Sequence, residues 1–515
     1  MAVPAYLTDL VDITLAESTT GWVSLGGGTS GLEIGTDFAM QGTYCVDKRI
    51  SSAEKGQVYT SASPTTFGAG EHVFVWVFLA TPGLANTLAN RGLGVVIGTS
   101  VSAYTTFHVE GSDTYGAVGR VGKCYPIRYT NTASTSPPYR TLTGSPTTSA
   151  QVYGATANIT GSVKGSNLGV DAIRRGWGVQ VLHGDTATPA TFTGLAAMND
   201  ARANRWGVFT FIAGSTYELQ GRLSVGLLGG TPVPTYFNDS NKSIILVDTP
   251  HSLPTFTQII VDDAGTVFNL TNVTIEAAGT HNPGQLIYNN AGTSSALTGC
   301  RFVRLGISTL RAGVVATSTV WQGCGQITTN GATMTNSSVI SSTATQALVI
   351  NSVAESNVLS YCDFSDNNRA ILITAPGTYT FSGHRFSGNM YDIENSSAGL
   401  VTINATHGCN VSTFINTGGG TTVINNQVTL TLTDIVDGSE VRIYLHGTTT
   451  ELGGVESVTG NQYVFTYNYT PTTYVDIVVH NLYYQYYRLE NYLLGSIDAT
   501  LSIQQSVDRQ YSNPT

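Results

Sequence analysis

The chain has 515 residues, of which 11% are charged, against about 25% in an average soluble protein. Hydrophobic residues make up 41% of the chain, which excludes intrinsic disorder. The net charge of −10 disfavours a nucleic-acid-binding surface, which needs cationic patches. Fifty-seven glycines and abundant Thr, Ser and Asn predict β-structure with many turns, and helix below about one tenth of the chain.

Apolar runs are short, and none reaches the roughly 20 residues of a membrane helix, so we expect no membrane insertion. The N-terminus carries Asp9, Asp12 and Glu17 and no basic side chain before Lys48, which predicts no signal peptide. The six cysteines form no CxxC pair. We therefore expect free buried thiols in a protein folded in the cytoplasm, without a metal site or a cofactor.

Residues 1–245 contain short apolar segments such as Val73–Leu79, separated by Gly, Pro and Ser turns. This pattern of short strands and turns predicts an N-terminal antiparallel β-sandwich of the lectin or jelly-roll type, with one short helix at Leu195–Trp206. Gly26, Gly28 and Gly31 match the GxGxxG pattern after a possible strand. A dinucleotide site needs a helix at that point, but Leu32-Glu-Ile-Gly35 has no helical period, so we interpret the glycines as a turn.

Residues 246–426 contain a loose repeat with a period in the low twenties. Its copies begin at Leu270, Leu297, Met334, Leu359 and Phe381, and the best of them read Leu-x-x-Cys-x-Phe. Short alternating segments with Asn and Gly corners at this period predict the coils of a right-handed parallel β-helix. Stacking would align equivalent side chains into interior ladders, because a single coil cannot bury its apolar face alone.

The sequence pattern changes again in residues 427–515. Val428-Thr-Leu-Thr-Leu-Thr alternates strictly, which predicts a half-buried strand. Further strands are expected at Glu440–Leu445, Gln462–Tyr469 and Tyr474–His480. Together they predict a small C-terminal β-sandwich of the immunoglobulin-like or transthyretin-like type.

Several segments resemble virion proteins of tailed bacteriophages. They are Cys300-Arg-Phe302, Cys362-Asp-Phe364, Arg205-Trp-Gly207, Asp437-Gly-Ser-Glu-Val-Arg-Ile-Tyr444, Tyr487-Arg-Leu-Glu-Asn491 and Ser502-Ile-Gln-Gln-Ser-Val-Asp-Arg-Gln-Tyr511. The resemblance implies a structural component of a phage particle, located in the virion and in contact with other virion proteins. It implies no activity, and it leaves the choice between head and tail open.

A β-helix also suits a polysaccharide lyase or hydrolase, which would need carboxylates and a basic residue in one groove. Acidic candidates occur at Asp262 and Asp263 and again at Asp392 and Glu394. The four weak catalytic candidates are Asp363, Asp366, Arg369 and Arg385, since adjacent coils could bring Asp363 or Asp366 near Arg385. Acidic residues at corners more often hydrogen-bond the backbone and keep the surface soluble.

Cys362, His384 and His407 are 22 and 23 residues apart, so a coil stack could align them as metal ligands or as packed interior side chains. Only the His384 copy aligns with the repeat. We therefore favour packing over a metal site.

Tyr483, Tyr484, Tyr486 and Tyr487 form the densest aromatic cluster. They cannot all point inward, because side chains alternate between the faces of a strand. We interpret them as a subunit interface, with a glycan-stacking surface and ordinary packing as alternatives. A homotrimer is the expected assembly.

The sequence therefore predicts a non-enzymatic structural protein of a bacteriophage, a spike, fibre or decoration protein on the capsid or the tail. One alternative is a tailspike-like polysaccharide depolymerase, and the other is a glycan-binding adhesin for host attachment.

Overall fold

The structure is a computed structural model. It describes residues 5–8, 10–25, 31–36, 39–40, 42–50, 55–68, 70–79, 88–110, 122–136, 139–159, 166–183, 186–200, 208–226, 234–247, 257–262, 264–279, 283–289, 295–469, 472–495 and 497–510. Within the described part of the chain, strands account for 59% and helices for 2%, which confirms an all-β protein with very little helix. The chain divides into two compact units, Met1–Val315 and Ala316–Thr515.

The first unit contains two antiparallel six-stranded sheets. The first sheet comprises Gly122–Ile127, His72–Leu79, Ser166–Gly176, Cys45–Ile50, Leu32–Gly35 and Val11–Thr14. The second comprises Arg140–Thr143, Ala103–Glu110, Leu88–Ser100, Ser149–Ile159, Lys55–Thr66 and Trp22–Leu25. Both sheets contribute to one apolar core, to which Val75 and Val170 come from the first and Val95 and Phe107 from the second. The β-branched and aromatic residues of these strands favour such half-buried pleated surfaces.

Parallel strands follow in the same unit. One row consists of Gly178–Leu182, Arg222–Val225, Gln258–Val261, Gln285–Tyr288 and Ser308–Thr309, with Ala5–Thr8 antiparallel at its edge. A second consists of Thr216–Leu219, Ser243–Leu246, Thr274–Ala277 and Arg301–Val303, with Phe209–Ala213 antiparallel. A third consists of Tyr236–Ser240, Val267–Thr271 and Ser295–Thr298, and Val314–Thr317 contains the unit boundary.

Parallel pairing begins at Gly178↔Arg222, well before residue 246, the predicted start of the β-helix. The earliest coils lack the Cys-x-Phe copies by which the repeat was recognised. The predicted helix at Leu195–Trp206 is a helix at Phe192–Asp200, and residues 201–207 lie outside the described residues. Among the described residues, no helix is long and apolar enough to cross a membrane.

The second unit contains strands of three parallel sheets, and we call three consecutive strands, one from each sheet, a coil. Sheet 1 comprises Thr333–Thr335, Leu359–Ser360, Gly377–Ser382, Leu400–Thr406 and Thr421–Thr433. Sheet 2 comprises Val320–Gln322, Ser338–Ile340, Asp363–Ser365 and Arg385–Ser387. Sheet 3 comprises Ile327–Thr328, Gln346–Ile350, Arg369–Ile373, Tyr391–Asn395 and Phe414–Asn416. A four-residue helix, Val353–Ser356, lies between two of these coils in the sequence.

Aligned repeat residues stack inside the second unit. On sheet 1, Met334 pairs with Leu359 and Phe381 pairs with Ala405. On sheet 2, the buried rings of Phe364 and Phe386 stack with centroids 5.2 Å apart. Equivalent repeat positions are therefore neighbours on adjacent parallel strands, and their buried side chains pack on one another.

The last part of the second unit extends sheet 1 and adds another sheet. Gln462–Asn468 and Ala499–Ser502 pair with Thr421–Thr433. The other sheet consists of Glu451–Val455, Glu440–Leu445, Tyr474–His480 and Tyr487–Leu493. Val428, Leu430 and Leu432 are buried, which confirms the strictly alternating strand predicted there.

Candidate functional site

A groove lies on the outer face of sheet 2 in the second unit. Strand alternation turns Phe364 and Phe386 inward, so their neighbours Asp363 and Arg385 face outward. Asp363 is the direct cross-strand partner of Arg385. Two adjoining cavities of about 610 and 500 Å³ share this pair, and both are also lined by Gly408 and Ile497. The larger cavity is lined in addition by Ser338, Ile340, Ser365, Phe386, Ser387 and Asn410. The smaller one is lined in addition by Asn336, Tyr361, Gly383, His407 and Asp498.

Asp363 and Arg385 are both exposed. Within the described part of the chain, neither side chain has a hydrogen-bond or ion-pair partner. An outward carboxylate accepts hydrogen bonds and a guanidinium donates up to five. The pair therefore offers a ligand both kinds of polar contact on one surface.

Tyr361 forms one wall of the groove. It adopts a left-handed backbone conformation, with φ of 52°, at the corner that precedes sheet 2. Its ring lies against Gly383, the corner residue of the next coil, where a Cβ atom would come within 2.3 Å of the ring. Because Gly383 has no side chain, the Tyr361 ring can pack directly against the Gly383 backbone. The Tyr361 side chain remains about half exposed.

The other candidates from the sequence lie elsewhere. Asp366 is also a left-handed corner residue, and its carboxylate packs over Gly388, outside the groove lining. Arg369 is on sheet 3, where its guanidinium binds Glu394 at 2.6 Å. The structure therefore brings Asp363 and Arg385 together, but not Asp366 or Arg369 with them.

Glu394 is buried on sheet 3 and is fully engaged. Its carboxylate accepts hydrogen bonds from Gln346 at 2.9 Å and from Thr417 at 2.7 Å, besides the contact with Arg369. Burial acts to raise the pKa of Glu394, but these hydrogen bonds outweigh it and lower the pKa. Asp392 is buried as well and accepts the backbone N–H groups of Ser412 and Thr413. Both acidic residues thus serve the fold.

Of the first acidic pair, Asp262 is buried and Asp263 lies outside the described residues. Gly26 and Gly28 of the GxGxxG match also lie outside them, and the segment after the match is the strand Leu32–Gly35.

The Cys362, His384 and His407 spacing does not produce a cluster. Cys362 and His384 are buried inside the coils, whereas His407 is exposed at a corner beside Ser382. Burial raises the pKa of the Cys362 thiol to about 11. Among the described residues, no three His, Cys, Asp or Glu side chains are placed to hold a metal ion. All six cysteines are free and buried, as predicted.

The tyrosine cluster splits between surface and interior. Tyr483 and Tyr486 are 42% and 59% exposed, whereas Tyr487 packs against the apolar core of the C-terminal sheets. Leu482, at 63%, and Val507, at 59%, are exposed as well. Backbone contacts between Tyr483 and Asp508 and between Tyr484 and Val507 bring these segments together. We call Leu482, Tyr483, Tyr486 and Val507 the tyrosine patch.

Sequence reasoning did not identify Tyr361, Asn410, Ile497 or Asp498 as parts of a site. Tyr361 lies at a variable position of the repeat copy that begins at Leu359, and Asn410 lies outside the repeat copies. Ile497 and Asp498 come from a segment far along the chain, which only the folded structure brings to the groove.

Comparisons with known proteins do not identify a family. No family and no curated protein matches the sequence. Among solved structures, the Agl-KA catalytic domain aligns with 82% of this chain and 99% of its own, at 11% identity and a TM-score of 0.18. A GH87 alpha-1,3-glucanase catalytic domain in complex with tetrasaccharides aligns with 81% of this chain and 74% of its own, at 10% identity and a TM-score of 0.16. At such TM-scores these similarities carry no argument about this chain.

Proposed function

We propose that this protein binds a glycan in the groove of sheet 2. The observation that carries the proposal is the pair Asp363 and Arg385, which face each other on adjacent strands, exposed and without a partner in the described part of the chain. Sugar hydroxyls both donate and accept hydrogen bonds, so a carboxylate beside a guanidinium can bind neighbouring hydroxyls. Tyr361 adds an exposed apolar ring surface at the wall.

We propose that the scaffold of this function has three parts. In chain order they are an N-terminal antiparallel β-sandwich, a right-handed parallel β-helix and a C-terminal β-sandwich. The shared core of the two antiparallel sheets and the in-register parallel strands support this arrangement. A coil interior filled with stacked side chains is stiff, and it holds the groove residues at fixed spacing.

We assign the protein to a bacteriophage particle as a structural component that presents the groove to the host surface. Support for this assignment comes from the sequence resemblance at the C-terminus. Host attachment joins the two functions, because a virion component that recognises a surface glycan is both structural and a binding protein.

Self-association through the tyrosine patch completes the proposal. An exposed apolar cluster on a chain with few charges favours a protein contact. Tyrosine is enriched at interface hot spots, and a closed ring of three copies would use the same patch on each.

A glycan array of bacterial surface polysaccharides tests the binding function. We expect the full-length protein to bind a subset of the array, and Asp363→Asn or Arg385→Gln to weaken that binding about tenfold or more, because each removes a charge-assisted hydrogen bond. Asp366→Asn is the matched control for the carboxylate and Arg304→Gln for the guanidinium, since both residues are exposed and lie outside the groove lining. Absence of any binding, or equal loss in the controls, would contradict the proposal.

Cleavage of the bound polysaccharide is the second candidate function. It is favoured by Asp498, a second carboxylate that lines the same cavity as Asp363. Glycoside hydrolysis needs two carboxyl groups about 5–9.5 Å apart. Asp498 already accepts hydrogen bonds from the backbone and side chain of Thr429, both at 2.8 Å, which fits a structural role better. New reducing ends that appear with wild-type protein and disappear with Asp363→Asn would establish the enzyme.

A further inference from the structure

Sheet 2 ends at Arg385–Ser387, and its last edge is closed. The backbone N–H of Phe386 donates to Asn410 Oδ1 at 2.7 Å, and Asn410 Nδ2 donates to the Phe386 carbonyl at 3.0 Å. One side-chain amide thus satisfies both backbone groups that a further parallel strand would have used. Among the described residues, no strand of sheet 2 follows.

Beyond this edge, the side chain of Ile497 borders the groove. The Ile497 side chain lies next to Gly408, at a distance where a Cβ atom added to Gly408 would be 3.5 Å from Ile497 Cγ2. Both residues line both cavities, and the Ile497 side chain is 63% exposed, so it projects beside the end of the groove floor. In the opposite direction the floor continues to Ser338, whose partner on the preceding coil is Val320.

We infer that the groove takes the end of a glycan chain rather than an internal segment. The inference rests on the proposed glycan function. The terminal residue would lie between Asp363 and Arg385 with its apolar face against Ile497, and the rest of the chain would extend over Ser338. The Asp498 carboxylate of the same lining is held by Thr429, whereas Asp363 and Arg385 offer one free charge of each sign, which suits a hydroxyl-rich terminal sugar.

Binding stoichiometry at two chain lengths tests this inference. The probes are a polysaccharide that binds on the array and a short oligosaccharide prepared from it, both titrated against the full-length protein by calorimetry. End recognition predicts one protein per chain at both lengths and the same affinity per chain. A number of bound proteins that grows with chain length would overturn end recognition while leaving glycan binding intact. If no polysaccharide on the array binds, the proposed glycan function itself is overturned.

Ile497→Ala gives a second measurement. We expect it to weaken binding of the short oligosaccharide about fivefold, as lost apolar contact would. The control is Ile307→Ala, because Ile307 is 55% exposed and belongs to the other unit. Unchanged affinity with Ile497→Ala would contradict a terminal sugar packed against Ile497.

Discussion

His384 Nδ1 accepts a hydrogen bond from the backbone N–H of Cys362, one coil earlier, over 3.1 Å. An accepting Nδ1 carries no proton, so the neutral ring has its proton on Nε2, a buried atom without a hydrogen-bond partner in the described part of the chain. The ring meets Phe364 and Phe381 edge to face. Burial in this aromatic surrounding lowers the pKa of His384 from 6.5 to about 4.

Acid should therefore destabilise the coils of the second unit. The pKa of His384 is lower in the folded than in the unfolded chain, so its contribution is complete above pH 6.5 and is lost as the pH falls towards 4. A pKa lowered to about 4 corresponds to a loss of about 3 kcal/mol in the free energy of unfolding. Hydrogen exchange of the amides in 377–387, corrected for intrinsic rates, measures this loss.

Two variants separate His384 from other titrating groups. His384→Asn keeps an acceptor but cannot titrate, so protection of 377–387 should vary less between pH 6.5 and 4. His407→Asn changes an exposed histidine and should leave the pH dependence of the wild type unaltered. An equal pH dependence in the wild type and in His384→Asn would rule out this role for His384.

Gly383→Ala should lower the free energy of unfolding of the second unit more than Gly438→Ala does. Both Gly383, with φ of 67°, and Gly438, with φ of 84°, have left-handed backbones, which cost an L-residue about 1–2 kcal/mol. Only Gly383 also has the Tyr361 ring in the way, since a Cβ atom on Gly438 meets nothing within 4 Å. Urea denaturation should show the larger loss for Gly383→Ala, and glycan binding should weaken only in that variant. Equal losses of stability in the two variants would mean that the Tyr361 ring moves aside without cost.

Glu394→Gln should cost about 3 kcal/mol, because it leaves the largely buried Arg369 without its charged partner. Glu490→Gln breaks the exposed pair with Arg488 and should cost less than about 1 kcal/mol. Thermal unfolding of both variants at pH 7 checks the difference. Indistinguishable stabilities would show that the contact on sheet 3 contributes as little as a surface pair.

Tyr483→Ser combined with Tyr486→Ser should shift the molar mass in light scattering from an oligomer towards the monomer. Removing a buried interface tyrosine commonly costs about 2 kcal/mol or more. Tyr361→Ser is the matched control, because Tyr361 is similarly exposed but lines the groove. A wild-type protein that stays monomeric at high concentration would leave the tyrosine patch without this function.

The sequence predicts the interior of this fold better than its surface. Leu270 and Leu297 were aligned from the repeat, and they pair in the structure, because interior ladders require apolar residues at a constant position. Alternation about Phe364 and Phe386 explains why Asp363 and Arg385 face outward. The period could not show that Arg369 belongs to another sheet, because corners of variable length separate the strands. Nor could it show that Ile497 lines the groove, because Ile497 is distant in the sequence from the other lining residues.

A structure of the protein in complex with an oligosaccharide that it binds would show directly whether the sheet 2 groove is the glycan site. We expect sugar density in this groove, with hydroxyl groups within hydrogen-bond distance of Asp363 and Arg385 and a pyranose ring near Tyr361. Sugar bound on a different surface, with the groove of Asp363 and Arg385 empty, would contradict the proposed site.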